Sequence, residues 1–256
     1  MTQMQAPQTT PETLSPDRIE HYRTHGFVHV PGIISPDEAE RFRAAALRVC
    51  ETGQGLSAGD VFAQHVNVWR DDETMRDLTL HANVAAVARK LAGVPLRLWH
   101  DQILVKSPHN NAPTEFHQDQ PYWPHQDSPN PISAWIALCD VPVERGCMSF
   151  LPGSHQRTDL ERQNLSDPRS LFNVCPDLQW SPRVTVPLKA GDCTFHHGRC
   201  AHMANANDTD EPRVAHVVIY MDAAVRFDGK EHVVTKELGL KPGDALDGEL
   251  FPEPGH

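Results

Sequence analysis

Residues 183–222 read RVTVPLKAGDCTFHHGRCAHMANANDTDEPRVAHVVIYMD. Two runs within this stretch, 183–198 and 213–222, are rich in Val, Thr, Ile and Phe, and the segment between them is dense in Asn and Asp. Runs of that kind read as strands, because branched side chains pack well on a pleated surface while Asn, Asp and Pro favour turns. The same texture recurs upstream in LRLWHDQILVKS (96–107), PISAWIALCDV (131–141) and CMSFLPGS (147–154). The chain before residue 96 differs. SPDRIEHYRTHGFVHVPGIISPDEAERFRAAALRVC (15–50) predicts a helix at each Ser-Pro and a short strand over 27–30. Ser35 and Glu38 form an S-x-x-E capping box with Pro36 at the first helical position, and Phe42, Ala45, Ala46 and Val49 then make one apolar face. A third helical region is expected over 71–91, closed by Gly93. Helices first and strands later predict an antiparallel sandwich with N-terminal helices packed outside it, not an alternating βαβ fold.

The remaining organisation is plain. Residues 1–14 are polar and rich in Pro, Thr and Gln, so a disordered tail is expected there. No repeat or linker interrupts 15–256, so a single domain is expected, with irregular surface coil from about Asp228 onward. The 256 residues carry a net charge of −11 without a basic stripe, which argues against nucleic-acid binding. No run approaches the ~18 apolar residues of a membrane helix. The N-terminus has neither the basic nor the apolar segment of a secretory signal, and the six cysteines form no C-x-x-C pair. A cytoplasmic, monomeric or weakly self-associating protein acting on a small molecule is the expectation.

Sixteen histidines raise the question of a metal. FHQDQPYWPHQD (116–127) holds His-Gln-Asp twice. On extended backbone, residues two apart point to the same side, so His117 and Asp119 can face one ion. The second copy, His125–Asp127, follows Pro124 and runs into SPNP, which reads as a loop too mobile to hold ligand geometry. The first copy is preferred. A third ligand must then come from a distant histidine, with His196, His197, His202 and His216 as candidates. Two histidines and one carboxylate form the facial triad of non-haem Fe(II) oxygenases. A zinc enzyme with such ligands would usually show H-E-x-x-H on a helix, and this sequence lacks it.

Taken together, these motifs resemble the phytanoyl-CoA dioxygenase-like family of Fe(II)/2-oxoglutarate oxygenases, which includes the ectoine hydroxylases. The resemblance rests on His117-Gln118-Asp119, on Trp135 in ISAWIAL, on Pro152-Gly153-Ser154-His155, and on FHHGRCAHMANANDTDEPR. It covers nearly all of residues 15–250 and implies a double-stranded β-helix, a cupin-like jelly roll. Spacing from Asn207 and Arg213 selects His202 as the distal ligand and His197 as the first histidine of the family's pattern. The resemblance then implies that His117, Asp119 and His202 bind Fe(II), and that Arg213 takes the far carboxylate of the co-substrate 2-oxoglutarate. Gln102 matches a position that touches the co-substrate. Trp135 is either core packing or a wall beside it. Lys106 shares a strand face with Gln102 and His100, and either assists the co-substrate or reaches solvent. Gln64 and Asn67 are weaker candidates, and Asn207 is expected to order the loop after His202. Tyr122 and Trp123 are expected to wall the substrate, with His125 and Gln126 as polar anchors.

Relatives often place Ser two residues beyond the distal histidine; Ala204 stands there in this chain. Halogenating relatives replace the carboxylate ligand by Ala or Gly, whereas Asp119 is present. The implied reaction is therefore O2-dependent hydroxylation of an unactivated C–H bond of a small molecule, or desaturation or ring chemistry by the same oxidant, with release of succinate and CO2. A non-catalytic or 2-oxoglutarate-independent jelly-roll metal protein is the alternative. Arg213 at its family spacing speaks against it.

Overall fold

A computed structural model describes residues 8–52, 57–58, 62–126, 128–158 and 161–254. The N-terminal third carries α1 (Pro16–His25), β1 (Phe27–Val30), α2 (Pro36–Glu51), β2 (Ser57–Ala58), β3 (Phe62–Val66), α3 (Glu73–Thr79) and α4 (Ala82–Ala92). Strands dominate from there: β4 (Leu96–Lys106), β5 (Thr114–His117), β6 (His125–Gln126), β7 (Ile132–Ala137) and β8 (Met148–Phe150). After the short α5 (Ser170–Val174) come β9 (Val184–Val186), β10 (Cys193–His197), β11 (His202–Ala204), β12 (Arg213–Asp222) and β13 (Arg226–Phe227).

Seven strands in the order β1-β10-β7-β12-β4-β3-β2 face four in the order β5-β11-β8-β9, and every pairing is antiparallel. This is the two-sheet jelly roll expected of the sequence. Phe42, Val84, Leu91, Phe195, Val214 and Val218 belong to one apolar cluster, formed where the helices pack against the larger sheet. Trp135, Phe150, Ala215, Val217 and Ile219 belong to a second cluster, inside the sandwich. Strand β12 serves both. Its even-numbered residues face the helices and its odd-numbered ones the interior, so all ten are buried and the strand reads as an almost unbroken apolar run.

The capping box holds as read: Ser35 Oγ accepts from Glu38 N, and Glu38 Oε2 accepts from Ser35 N at 2.7 Å. Three expectations are corrected. The third helical region is two helices, broken at Leu80–His81. Thr79 at the end of α3 is tied to Asp101 on β4, while Asn83 at the start of α4 donates to the carbonyls of Thr9 and Ile33. Each helix is thereby pinned to a different wall. Secondly, the polar tail does not extend to residue 14, because Thr9 N donates to Gly32 O at 2.8 Å and Leu14 is buried in the helix-side cluster. Thirdly, the chain beyond Asp228 is irregular and largely exposed, as expected, but it is not only surface coil. Val234, Leu246 and Phe251 are buried in the interior cluster, and Phe251 stacks on Trp99 at 5.5 Å between ring centroids. Isolated apolar side chains in a polar segment give no periodic signal, yet three of them suffice to strap it down.

The second His-Gln-Asp is also not a free loop. His125–Gln126 pair with Arg226–Phe227, and His125 is buried against Trp99 and Trp123. Asp127 lies outside the described residues.

Candidate functional site

Strands β5 and β11 are neighbours in the smaller sheet, and their register places His202 directly opposite His117. Strand β5 ends at His117, and Asp119 has helical backbone (φ −76°, ψ −43°) at the entry to a short 3₁₀ turn. The two side chains therefore converge through a turn and not through strand alternation alone. Between them Gln118 points the other way, its amide N–H donating to Gln163 Oε1 at 2.8 Å and its side chain to Arg199 O at 2.5 Å. That anchoring fixes the turn.

Ligand atoms of His117, Asp119 and His202 all lie within 4.8 Å of one another. Asp119 Oδ1 is 3.5 Å from His117 Nε2 and 3.8 Å from His202 Nε2. Each histidine donates its other ring nitrogen to a backbone carbonyl: His117 Nδ1 to Glu115 O at 2.7 Å, His202 Nδ1 to Cys200 O at 3.0 Å. A carbonyl only accepts, so the proton sits on Nδ1 and the Nε2 lone pair faces Asp119, as metal ligation requires. Burial pushes the His202 imidazole down to about 3. Burial acts to raise Asp119, but His202, His117 and His196 outweigh it and hold the carboxyl well below its usual range. Neutral imidazoles and an ionised carboxylate are the protonation state in which such a site takes a cation.

These side chains stand on a cavity of about 360 Å³. Its lining also includes Arg213, Trp135, Gln102, Gln64, Thr114 and Ala204. Arg213 is 2% exposed, its guanidinium lies 5.2 Å from the Trp135 ring centroid, and its Nε and Nη1 have no hydrogen-bond partner. Among the described residues no carboxylate forms an ion pair with it. Burial pushes Arg213 down to about 10, and beside it Lys106 falls to about 7, first through burial and then through the Arg213 charge. A buried guanidinium with two orphaned N–H groups and no ion-pair partner among the described residues forms a site for an anion, and its planar fork suits a carboxylate. The donor set thus fits 2-oxoglutarate. Thr114 stands opposite Ala204 in the β5–β11 register, and both line the cavity.

Most, but not all, of the residues singled out in the sequence meet here. His117, Asp119, His202, Arg213, Gln102, Gln64, Trp135, Tyr122 and Trp123 share the cavity. The Gln64 amide donates to Gln102 Oε1. Lys106 neither lines the cavity nor reaches solvent; fully buried, it donates to Ala112 O at 2.7 Å. Asn67 and His125 are likewise not part of the lining. His216 sits on the helix side, bonded to Thr79, and His197 bonds the Pro129 carbonyl. Asn207 does order its loop, donating to the carbonyls of Lys106, Ser107 and Glu211. Sequence reasoning did not foresee His100, Arg162 and His232 in the lining of the cavity. His100 faces inward by ordinary alternation with Gln102, and a bulge opposite Ile219 and Tyr220 leaves Trp99 unpaired and turned to the interior as well.

Residues 22–215 match the phytanoyl-CoA dioxygenase (PhyH) family. The chain belongs to that family. Its members are Fe(II)- and 2-oxoglutarate-dependent oxygenases, which use O2. Among curated relatives, phytanoyl-CoA dioxygenase domain-containing protein 1 of Mus musculus is 30% identical over 159 residues, 60% of this chain and 54% of that protein. This family member thus aligns with only about half the length of that mouse relative. Among solved structures, the non-haem α-ketoglutarate-dependent carbocyclase SnoK from nogalamycin biosynthesis is 43% identical, with a TM-score of 0.87 over 96% of this chain and 99% of SnoK. The epimerase SnoN, solved with Fe3+, α-ketoglutarate and nogalamycin RO, is 39% identical, with a TM-score of 0.82 over 92% and 96% of the two chains. Among the described residues of this family member no helix is long and apolar enough to cross a membrane.

Proposed function

We propose that this chain couples the oxidative decarboxylation of 2-oxoglutarate to oxidation of an unactivated C–H bond in a small molecule, with hydroxylation as the outcome. The observation that carries this reading is one cavity holding both the His117–Asp119–His202 cluster and the orphaned Arg213 guanidinium. In this reading His117, Asp119 and His202 hold iron on one face. Arg213 binds the distal carboxylate of 2-oxoglutarate, with Lys106 adding positive potential behind it. Trp135 and Gln102 wall the co-substrate. When bound, iron and 2-oxoglutarate supply an oxidant from O2 and release succinate and CO2. Tyr122 and Trp123 then seat the substrate, with His100, His232 and Arg162 of the same lining as polar contacts.

Ring closure or epimerisation is a second reading, supported by the likeness to the carbocyclase SnoK and the epimerase SnoN. All these outcomes need the same hydrogen abstraction and differ only in the fate of the carbon left behind. A nogalamycin-type natural product is the substrate class those neighbours suggest. Incubation with Fe(II), 2-oxoglutarate, O2 and such compounds, then mass spectrometry, separates the outcomes. One added oxygen means hydroxylation, loss of two hydrogens means ring closure or desaturation, and unchanged mass with altered retention means epimerisation. His202→Ala should abolish Fe(II) binding and His125→Ala leave it intact; the reverse would move the metal to the second tripeptide.

A further inference from the structure

The two oxygens of Asp119 have different neighbours. Oδ1 faces the Nε2 atoms of His117 and His202. Oδ2 faces His196 Nε2 at 3.3 Å and Ser133 Oγ at 3.4 Å. His196 and Ser133 lie directly across from one another on β10 and β7, so the larger sheet delivers both donors to one point. Both residues are fully enclosed, at 1% and 0% exposure. His196 also packs its ring on His202, 4.5 Å between centroids, and on Phe150 at 5.7 Å. The His196 Nδ1 atom is buried without a partner, leaving Nε2 as the nitrogen that bonds.

We propose that His196, with Ser133, is a positioning residue that donates to the Asp119 oxygen turned away from the metal and holds the carboxylate to one-oxygen coordination. This rests on the iron reading above. The consequence is a count of open positions. A carboxylate binding through one oxygen leaves half of an octahedron free, enough for the two ligating atoms of 2-oxoglutarate and for O2. If the carboxylate swung to bind through both oxygens, one of those positions would be filled. Tying Oδ2 to the opposite sheet prevents the swing and orients Oδ1 at the cluster. Partners of ligating carboxylates act this way in general, and removing one typically lowers metal affinity by about 10–100-fold.

The test separates a hydrogen-bond role from packing. Fe(II) is titrated anaerobically into metal-free wild type, His196→Leu, His196→Gln and Ser133→Ala, with and without 2-oxoglutarate, and thermal unfolding of the metal-free proteins serves as the control. Leu fills the space of the ring but donates nothing, whereas Gln keeps an N–H. The proposal expects His196→Leu to weaken Fe(II) binding about tenfold or more and to shift the visible band of the iron–2-oxoglutarate complex, with Gln restoring both. Pure packing gives the opposite order, Leu at least as good as Gln, and that result overturns the proposal. Should His196→Leu not fold, Ser133→Ala decides, because it removes one donor from the same oxygen with little change in volume. Its expected effect is a smaller loss of affinity and a band shift in the same direction; wild-type affinity and an unmoved band overturn the proposal. If wild type itself takes up no Fe(II), the iron reading fails first.

Discussion

At the scale of the residue, Arg213 carries more meaning than any other single side chain. A guanidinium at 2% exposure with two unbonded nitrogens is costly to bury and is not explained by packing on Trp135. Lys106 next to it makes the local field still more positive. A bound carboxylate relieves both. Replacing Arg213 by Met preserves most of the volume and should weaken 2-oxoglutarate binding by about 3–5 kcal/mol, as truncating one partner of a buried ion pair does. Calorimetric titration of the Fe(II)-loaded variant reads this directly, and an unchanged co-substrate affinity would refute the role. The same residue is legible in the sequence because its spacing from His202 can be counted. His196 reads there only as a candidate ligand. Strand alternation in CTFHHG, with Cys193 and Phe195 facing the helices, is the signal that turns His196 inward, towards Asp119.

At the scale of the element, the metal cluster comes from register. His117 and His202 meet because β5 and β11 pair at those residues, and Asp119 joins them because the chain turns after Gln118. The strands, the capped α2 and the membership of the cluster are readable from residue type and spacing. The split between α3 and α4 is not, since it arises from tertiary bonds of Thr79 and Asn83, not from a Gly or Pro. Neither is the strap beyond Asp228. The β4 bulge escapes too, for strand pairing has no trace in one sequence. Strand β4 also carries Asp101, fully buried, accepting from Trp69 N at 3.1 Å and Thr79 Oγ1 at 2.9 Å, with its carboxyl pushed up to about 7 by burial. A carboxyl whose folded pKa is raised favours the folded state most below its ordinary value of 3.8, and that contribution is lost as pH rises through about 7. Asp101→Asn keeps both accepted bonds without the charge. Its unfolding temperature should therefore match or exceed wild type above about pH 7, with a flatter pH dependence between about 4 and 7. A variant clearly less stable at about pH 8, with the slope unchanged, would show instead that Asp101 is held as an ion, paired with His216 at 3.6 Å.

At the scale of the whole molecule, the cavity is a joint product of the two sheets and the C-terminal strap. The larger sheet supplies Arg213, Gln102, Trp135 and His196, the smaller sheet and its adjoining turn supply His117, His202 and Asp119, and the strap supplies His232. Neither sheet alone contains a complete site, which is why single motifs in the sequence are weak and their order and spacing strong. The architecture makes one claim above the others: iron and 2-oxoglutarate bind together between the sheets. Anaerobic addition of 2-oxoglutarate to the Fe(II)-loaded protein tests it most directly. The account predicts a visible metal-to-ligand charge-transfer band that saturates at one 2-oxoglutarate per iron and is absent from His202→Ala. Full iron loading with no band on adding the co-substrate would contradict it.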